Sequence, residues 1–281
     1  MRSARARDCK TIFQIHLESL EGLDEEDYEW FEALLRVQSK RRKILVAELQ
    51  GEVVGFAIAY KYRDTAYIDS IAVKSGYRGS GIGGKLLSEL ERILIEAGAE
   101  SIALSVKDGN KKALDFYLRK GYALKGIILI MSADVNVLPD DFPGYFTLRR
   151  RRAGSLGRVR SFKAATWWST LTEPVDRLIY RRYLRNEEAL LAYKGNRLKG
   201  LVEFTLDHEL FADYMALASY QAVDVLQTLL SGLKNVSLET GAKIVTAPVD
   251  ATKRKIVEAL LANGFKTISA EYLAVKELPK Q

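Results

Sequence analysis

Residues 77–86 read YRGSGIGGKL, four glycines in ten positions, and the stretch runs straight into the amphipathic segment KLLSELERILIEAG. Glycine loses more conformational freedom on ordering than any other residue, so such a cluster marks backbone that must bend unusually or touch something. The first N–H groups of a helix have no intrahelical acceptor and lie at its positive dipole end, which makes a glycine-rich helix entry an anion cradle. Two nucleotide-binding patterns share this outline and neither fits. A dinucleotide fingerprint needs a parallel βαβ unit around it. Here KILVAELQ, VVGFAIAYKY and AYIDSIAV precede the loop, joined by turns at Gly51-Glu52 and Arg63-Asp64, which reads as an antiparallel meander. A P-loop needs Ser or Thr after its Lys, whereas Lys85 is followed by Leu86.

The chain has 281 residues, enough for two domains of ordinary size, and 48% hydrophobic with 28% charged residues is a globular balance. Cys9 is the only cysteine, so an internal disulfide and a thiolate metal cluster are excluded, and two histidines, His16 and His208, make no histidine-rich site; no metal is expected. A net charge of +7 suits an anionic cofactor, acidic protein or nucleic acid without choosing among them. No apolar run reaches the roughly 20 residues that span a bilayer. The basic start MRSARARDCK leads into an amphipathic segment rather than a signal core, so a cytoplasmic location without membrane contact is the expectation.

Around the loop the chain has a regular rhythm. Asp8 is the expected N-cap of a helix through TIFQIHLESL, with Ile12, Ile15, Leu17 and Leu20 as its apolar stripe, and EEDYEWFEALLRVQSK reads as a second helix. After the loop helix come the strand SIALSV, the helix NKKALDFYLRK and the strand ALKGIILIMSA. The second half repeats this order. LRKGYALKGIILIMSADV lies over LLANGFKTISAEYLAVKEL at a displacement of about 144 residues, matching Gly121-Tyr122 with Gly264-Phe265, the mark of a tandem duplication. The join falls near VNVLPDDFPGYF, which places domains at residues 1–138 and 145–281. The run RRRRAGSLGRVR beyond it reads first as a solvated edge segment, with acidic protein or nucleic acid as the sharper alternative.

On these residues the chain resembles the GCN5-related N-acetyltransferases, the GNAT family. The resemblance rests on IDSIAVKSGYRGSGIGGKLL, the helix Asn110-x-x-Ala113-x-x-Phe116-Tyr117 and Gly121-Tyr122, and it covers residues 1–135 well and the second half in outline. The family's acetyl-CoA signature is Arg or Gln, two residues, Gly, one residue, Gly or Ala, here Arg78-Gly79-Ser80-Gly81-Ile82-Gly83. It implies an α/β fold of the α+β mixed-sheet kind: two tandem GNAT folds, each a mostly antiparallel mixed sheet flanked by helices. The cofactor implied is acetyl-CoA as acyl donor, its pyrophosphate held by the amides of Gly79, Ser80, Gly81, Ile82, Gly83 and Gly84 beside Arg78.

The same resemblance assigns Ile71, Ala72 and Val73 to the pantetheine arm, with the thioester carbonyl near the Ile71 N–H, and Asn110 to the pantetheine or to capping its own helix. Tyr117 fits the general acid that protonates the departing thiolate, against a plain reading as a core aromatic. Asp69 is the candidate general base, two residues before Ile71, with Tyr67 and Asp64 as alternatives and a solvated strand residue as the plain reading. Glu25, Glu26 and Asp27 could attract a cationic amine, though acids at a helix start are common without function.

In the second half MALASYQAVDVLQT stands where the loop should be, without glycine cluster or arginine, while Lys253 and Leu260 replace Asn110 and Tyr117. This copy reads as a fold without the site. Trp167-Trp168 read as packing rather than as an acceptor wall. Three function classes are open: an acetyl-CoA-dependent N-acetyltransferase acting on a protein N-terminus, a lysine or a small amine; a non-catalytic acyl-CoA-binding scaffold; and, least favoured, a nucleic-acid-associated protein. The cofactor strand and loop resemble protein N-terminal acetyltransferases of the ribosomal kind, which hints at a peptide acceptor.

Overall fold

The computed structural model describes residues 1–37, 39–152, 162–169, 171–172, 175, 179, 188–206 and 209–278. Among them the backbone forms two compact units. The first comprises Met1–Lys125, Leu171–Ile179 and Tyr272–Gln281; the second comprises Gly126–Thr170 and Tyr180–Glu271. His208 and most of the stretch after Arg152 lie outside the described residues. No helix among the described residues is long and apolar enough to cross a membrane.

The first unit is built on the meander read from the sequence. Strands β1 (Arg2–Ser3), β2 (Arg42–Leu49), β3 (Glu52–Tyr62) and β4 (Thr65–Val73) pair antiparallel in that order, and β5 (Ser101–Lys107) joins β4 in parallel. Helix α1 (Cys9–Leu17) and helix α2 (Tyr28–Arg36) precede the meander. Both are shorter than the apolar pattern implied. Asp8 stands at the N-cap position of α1 but does not cap it. Its carboxylate turns back to accept from the Arg5 amide at 2.7 Å and from the Arg2 guanidinium at 2.7 and 3.0 Å. The buried stripe of α1 is Cys9, Ile12, Ile15 and His16, while Leu17 is exposed. The turn of the helix gives His16, not Leu17, the inward position.

Helix α3 (Ile82–Glu96) covers one face of this sheet through Leu86, Leu87, Leu90 and Leu94, all fully buried. Each such side chain contributes about 2 kcal/mol on leaving water. The helix comes so close to β3 that a side chain at Gly55 would lie 3.0 Å from Leu86. Helix α4 (Lys111–Arg119) follows β5. The core under α3 also takes Ala274 and Leu278, from the very end of the chain.

The second unit repeats the plan. Strand β6 (Ala123–Asp134) enters it from residue 126 and pairs antiparallel with β12 (Ile244–Asp250). The order continues with β11 (Leu210–Leu217), β10 (Arg197–Leu206), β9 (Glu188–Lys194) and, at the edge, β7 (Phe146–Arg152); the short β8 (Lys163–Ala164) pairs with β11. Strand β11 runs parallel to β12, as β4 does to β5. Helix α5 (Val223–Thr240) packs over this sheet, and α6 (Arg254–Ala262) leads into β13 (Lys266–Glu277). Even local detail recurs. Gly200 pairs with Leu217 as Gly55 pairs with Val73, and a side chain at Gly200 would strike Val225 of α5 at 2.5 Å. The mixed, mostly antiparallel sheet flanked by helices is thus present in both units.

Candidate active site

The glycine loop of the first unit bends as its composition requires. Gly79 and Gly81 have φ of +79° and +83°, values open to glycine, and Gly81 stands at the N-cap of α3. No atom lies within 4 Å of where a side chain would stand at either residue, so the loop faces open space. The Lys85 amide reaches the Gly81 carbonyl at 3.1 Å, which leaves the amides before it at the helix entrance without that partner. Ser80 donates its hydroxyl to the Tyr77 carbonyl at 2.5 Å, and Ile82 packs on the core under α3.

Arg78 is exposed and anchored by its neighbours. Its Nε donates to the Val73 carbonyl at 3.0 Å, and its Nη2 to the Glu18 carbonyl at 2.6 Å and the Ser19 hydroxyl at 3.1 Å. Its work is to tie the loop to β4 and to the end of α1. Its guanidinium stays exposed, and further charge stands nearby on Lys85, Arg92 and Lys120, with Glu89 among them. An open hollow beside the loop is lined by Gly81, Gly84, Lys85, Ser88, Phe116 and Lys120, and the Lys120 ammonium lies 3.6 Å from the side-chain position of Gly84. Lys120 had no motif to mark it, since it arrives from the end of α4.

Strands β4 and β5 pair from Thr65↔Ser101 to Ile68↔Leu104 and no further. Beyond that point Ile71, Ala72 and Val73 keep their register with β3 through Ala57, Phe56 and Gly55, while their other edge is turned to the parting between β4 and β5. On the β5 side of this parting the Ser105 hydroxyl is buried without a hydrogen-bond partner among the described residues. An orphaned hydroxyl, an unpaired strand edge and a bare loop at a helix entrance fit an extended ligand with amides and a phosphate tail.

The parting begins at a β-bulge. Ala59 faces Ile68 and Ile58 faces Ser70, so Asp69 is the extra residue. Strand alternation places Asp69 on the face of Ile71. The bulge breaks that parity, because Ile68 and Ile71 both pack on the core under α3 and Asp69 is directed to the opposite face. Solvent reaches the Asp69 side chain, yet protein crowds it and the loss of water raises its carboxyl to about 6. The Ser70 hydroxyl, 2.9 Å away, opposes the rise and the Asp24 charge adds to it.

Asn110 caps α4, its side-chain oxygen accepting from the Ala113 amide at 3.1 Å. Its amide nitrogen also approaches Gly22, where a side chain would stand 2.5 Å from it. Tyr117 is buried in the core cluster, edge-on to Phe116 and Tyr122 at 5.1 and 5.6 Å. Burial alone holds its phenol well above the ordinary range, so it carries its proton at neutral pH. Of the alternatives to Asp69, Tyr67 is buried against Tyr60, and Asp64 sits in the turn before β4, its carbonyl accepting from Glu100 and Ser101. His16, on no candidate list, is buried with both ring nitrogens lacking hydrogen-bond partners among the described residues, and burial lowers its pKa. Among the described residues no group of three or more His, Cys, Asp or Glu is placed to hold a metal ion.

Comparison with known proteins bears on this arrangement. The model of the acetyltransferase (GNAT) family matches residues 9–122. Thialysine N-epsilon-acetyltransferase of Bos taurus is 35% identical over 74 residues, 25% of this chain and 44% of its own length; the Sus scrofa enzyme is 36% identical over 80 residues, 26% and 47%. The chain therefore spans about half the length of the curated relatives it matches. A tandem GNAT protein from the clavulanic acid biosynthesis pathway superposes with a TM-score of 0.71 over 99% of this chain and 98% of its own, at 16% identity. A GCN5-related N-acetyltransferase from Sphaerobacter thermophilus does so with 0.63 over 98% and 94%, also at 16% identity. Residues 9–122 match the GNAT family model, and over 99% of its length the chain has the fold of a tandem GNAT protein.

Proposed function

We propose that the first unit transfers the acetyl group of acetyl-CoA to a primary amine by direct attack within a ternary complex. The observation that carries this is the junction of two features: the Gly79–Gly84 loop bent open at the entrance of α3, and the parting of β4 from β5 beside Ile71–Val73. The loop amides, with Lys85 and Lys120 adding charge, suit the pyrophosphate. The strand edge suits the amides of pantetheine, and an N–H near Ile71 would stabilise the oxyanion as the amine attacks.

In this reading Asp69 accepts the amine's proton, directly or through water. A carboxyl titrating near 6 is ionised at neutral pH yet more basic than an ordinary aspartate. Tyr117, protonated and shielded, donates to the departing thiolate. Residues 1–138 supply the catalytic copy and 145–281 a degenerate one. The acceptor is an amine of a peptide, a lysine or a small molecule. The curated relatives' action on thialysine favours a small amine or a lysine-like side chain over the peptide N-terminus suggested by the loop segment. Nucleic acid is not part of the reading, and the protein works without a metal in the cytoplasm.

Native mass spectrometry with acetyl-CoA and a panel of amines tests the proposal. One bound acetyl-CoA per chain and an acetylated amine are expected. Binding without any product across peptide, lysine and diamine acceptors would replace catalysis by an acyl-CoA-binding role.

A further inference from the structure

The second unit answers a question the first leaves open: what fills a parting between parallel strands when no ligand does. Strands β11 and β12 pair only at Leu210↔Val245 and Phe211↔Thr246 before they separate. The correspondence with the first unit is residue by residue. Phe211 matches Tyr67, the last paired stretch of β4; Tyr214 facing Glu203 matches Ser70 facing Ile58; and Leu217 facing Gly200 matches Val73 facing Gly55. Met215, Ala216 and Leu217 thus stand where Ile71, Ala72 and Val73 stand. Asp213 occupies the bulge position of Asp69, and burial raises its carboxyl too, to about 7.

In the second unit this strand edge is taken. Lys163 and Ala164 pair antiparallel with Leu217 and Ala216, and the Ala165 amide donates to the Met215 carbonyl at 2.8 Å. On the other side the Asp250 amide of β12 donates to the Ala165 carbonyl at 3.0 Å. The segment therefore bridges the two separated strands. Ala164, Ala165 and Thr166 are buried, and Tyr220, just beyond β11, donates its hydroxyl to the Ala164 carbonyl at 2.8 Å while Lys163 lies over its ring.

We infer that residues 163–165 are a built-in occupant of the second unit's cofactor slot, a peptide strand holding the place of a pantetheine arm. Acyl-CoA is therefore excluded from this unit by occupation of the slot, in addition to the missing glycine loop. The comparison with pantetheine rests on the function proposed for the first unit; the occupation itself does not. Two alanines suit the position, because a strand wedged between β11 and β12 leaves little lateral room. The physical logic is one of hydrogen-bond accounting: buried strand edges must be paired. One unit keeps its edge for a ligand and the other has paired it permanently.

Hydrogen exchange on the full chain, resolved to single amides, with and without saturating acetyl-CoA, tests this. The Ala165 and Asp250 amides should exchange at least about 100-fold more slowly than unstructured amides, and acetyl-CoA should leave them unchanged. Ala165→Pro removes one of the bridging donors and should speed exchange at Asp250 at least about tenfold. Should that variant fail to fold, Tyr220→Phe provides a milder loosening, read at the same amides. Unprotected Ala165 and Asp250 amides, or a second acetyl-CoA bound with new protection across residues 213–217, would overturn the inference. Protected amides in a chain that binds no acetyl-CoA at all would refute the proposed function and leave the occupied slot standing.

Discussion

Tyr117 and Asp69 are opposite cases of the same force. Burial keeps the Tyr117 phenol protonated, and crowding at the bulge makes Asp69 a stronger base than a free aspartate. Tyr117→Phe preserves the edge-on contacts with Phe116 and Tyr122. It should therefore lower turnover about 10²-fold with acetyl-CoA affinity nearly unchanged, since in the proposed mechanism the hydroxyl acts mainly as the thiolate forms. Unaltered single-turnover rates would make it a packing residue. For Asp69, kcat/KM should fall as pH drops through about 6, and Asp69→Asn should remove both that inflection and most of the activity. Stability moves the other way. The folded carboxyl titrates above its ordinary 3.8, so protonation stabilises the fold fully below 3.8 and that contribution is lost as pH rises through about 6. Asn avoids the ionisation, so Asp69→Asn should raise Tm at pH 7.5 and show little gain below pH 4. A lower Tm at pH 7.5 would mean that the carboxylate is favourably held.

At the scale of the element, the loop and α3 separate what the fold needs from what a ligand needs. Gly79 and Gly81 are required by their positive φ, whereas Gly83 lies inside α3 with its side-chain position 3.7 Å from Val73, an ordinary contact. Gly83→Ala should therefore raise the stability of the ligand-free protein by about 0.5 kcal/mol through reduced chain entropy. The same methyl stands at the helix entrance where the backbone is open to a phosphate, so acetyl-CoA should bind more weakly. Calorimetric titration alongside thermal unfolding separates the two effects. Unchanged affinity would move the phosphates away from this turn. Strand β7 carries the described part of the basic run. Arg150 is tied to Glu188 and Glu239, and Arg149 stacks on Tyr193, so this part of the basic run is a charged sheet edge of the kind that discourages further strand pairing.

At the scale of the whole molecule, the compact units do not follow the order of the chain. The last ten residues, Tyr272–Gln281, belong with the first unit. Ala274 and Leu278 enter its core, the Leu278 amide donates to the Glu100 carbonyl at 2.8 Å, and Lys276 pairs with Glu91 at 2.9 Å. Removing residues 272–281 should destabilise the first unit by more than about 3 kcal/mol and abolish its acetyl-CoA binding, although every candidate site residue remains. A chain ending near residue 138 lacks the same contacts and should aggregate. Wild-type affinity in either truncated form would show that the first unit needs nothing from the C-terminus.

The sequence alone determined the meander, the helix-entry glycines and the duplication, because strand alternation, turn chemistry and the φ demands of glycine are local properties. It marked KLLSELERILIEAG as an amphipathic helix for the same reason, and it placed Asn110 and Gly79–Gly84 on the elements where they stand. Tertiary structure decided whatever depends on pairing between distant segments. The bulge that turns Asp69 away from Ile71 exists only in the register of β4 against β3. Arg78 is anchored to carbonyls that only folding brings near, and Lys120 gained its place beside Gly84 from the end of another helix. Lys163-Ala164-Ala165 carries no signature at all. Its burial follows from one unpaired strand edge that the chain itself could reach.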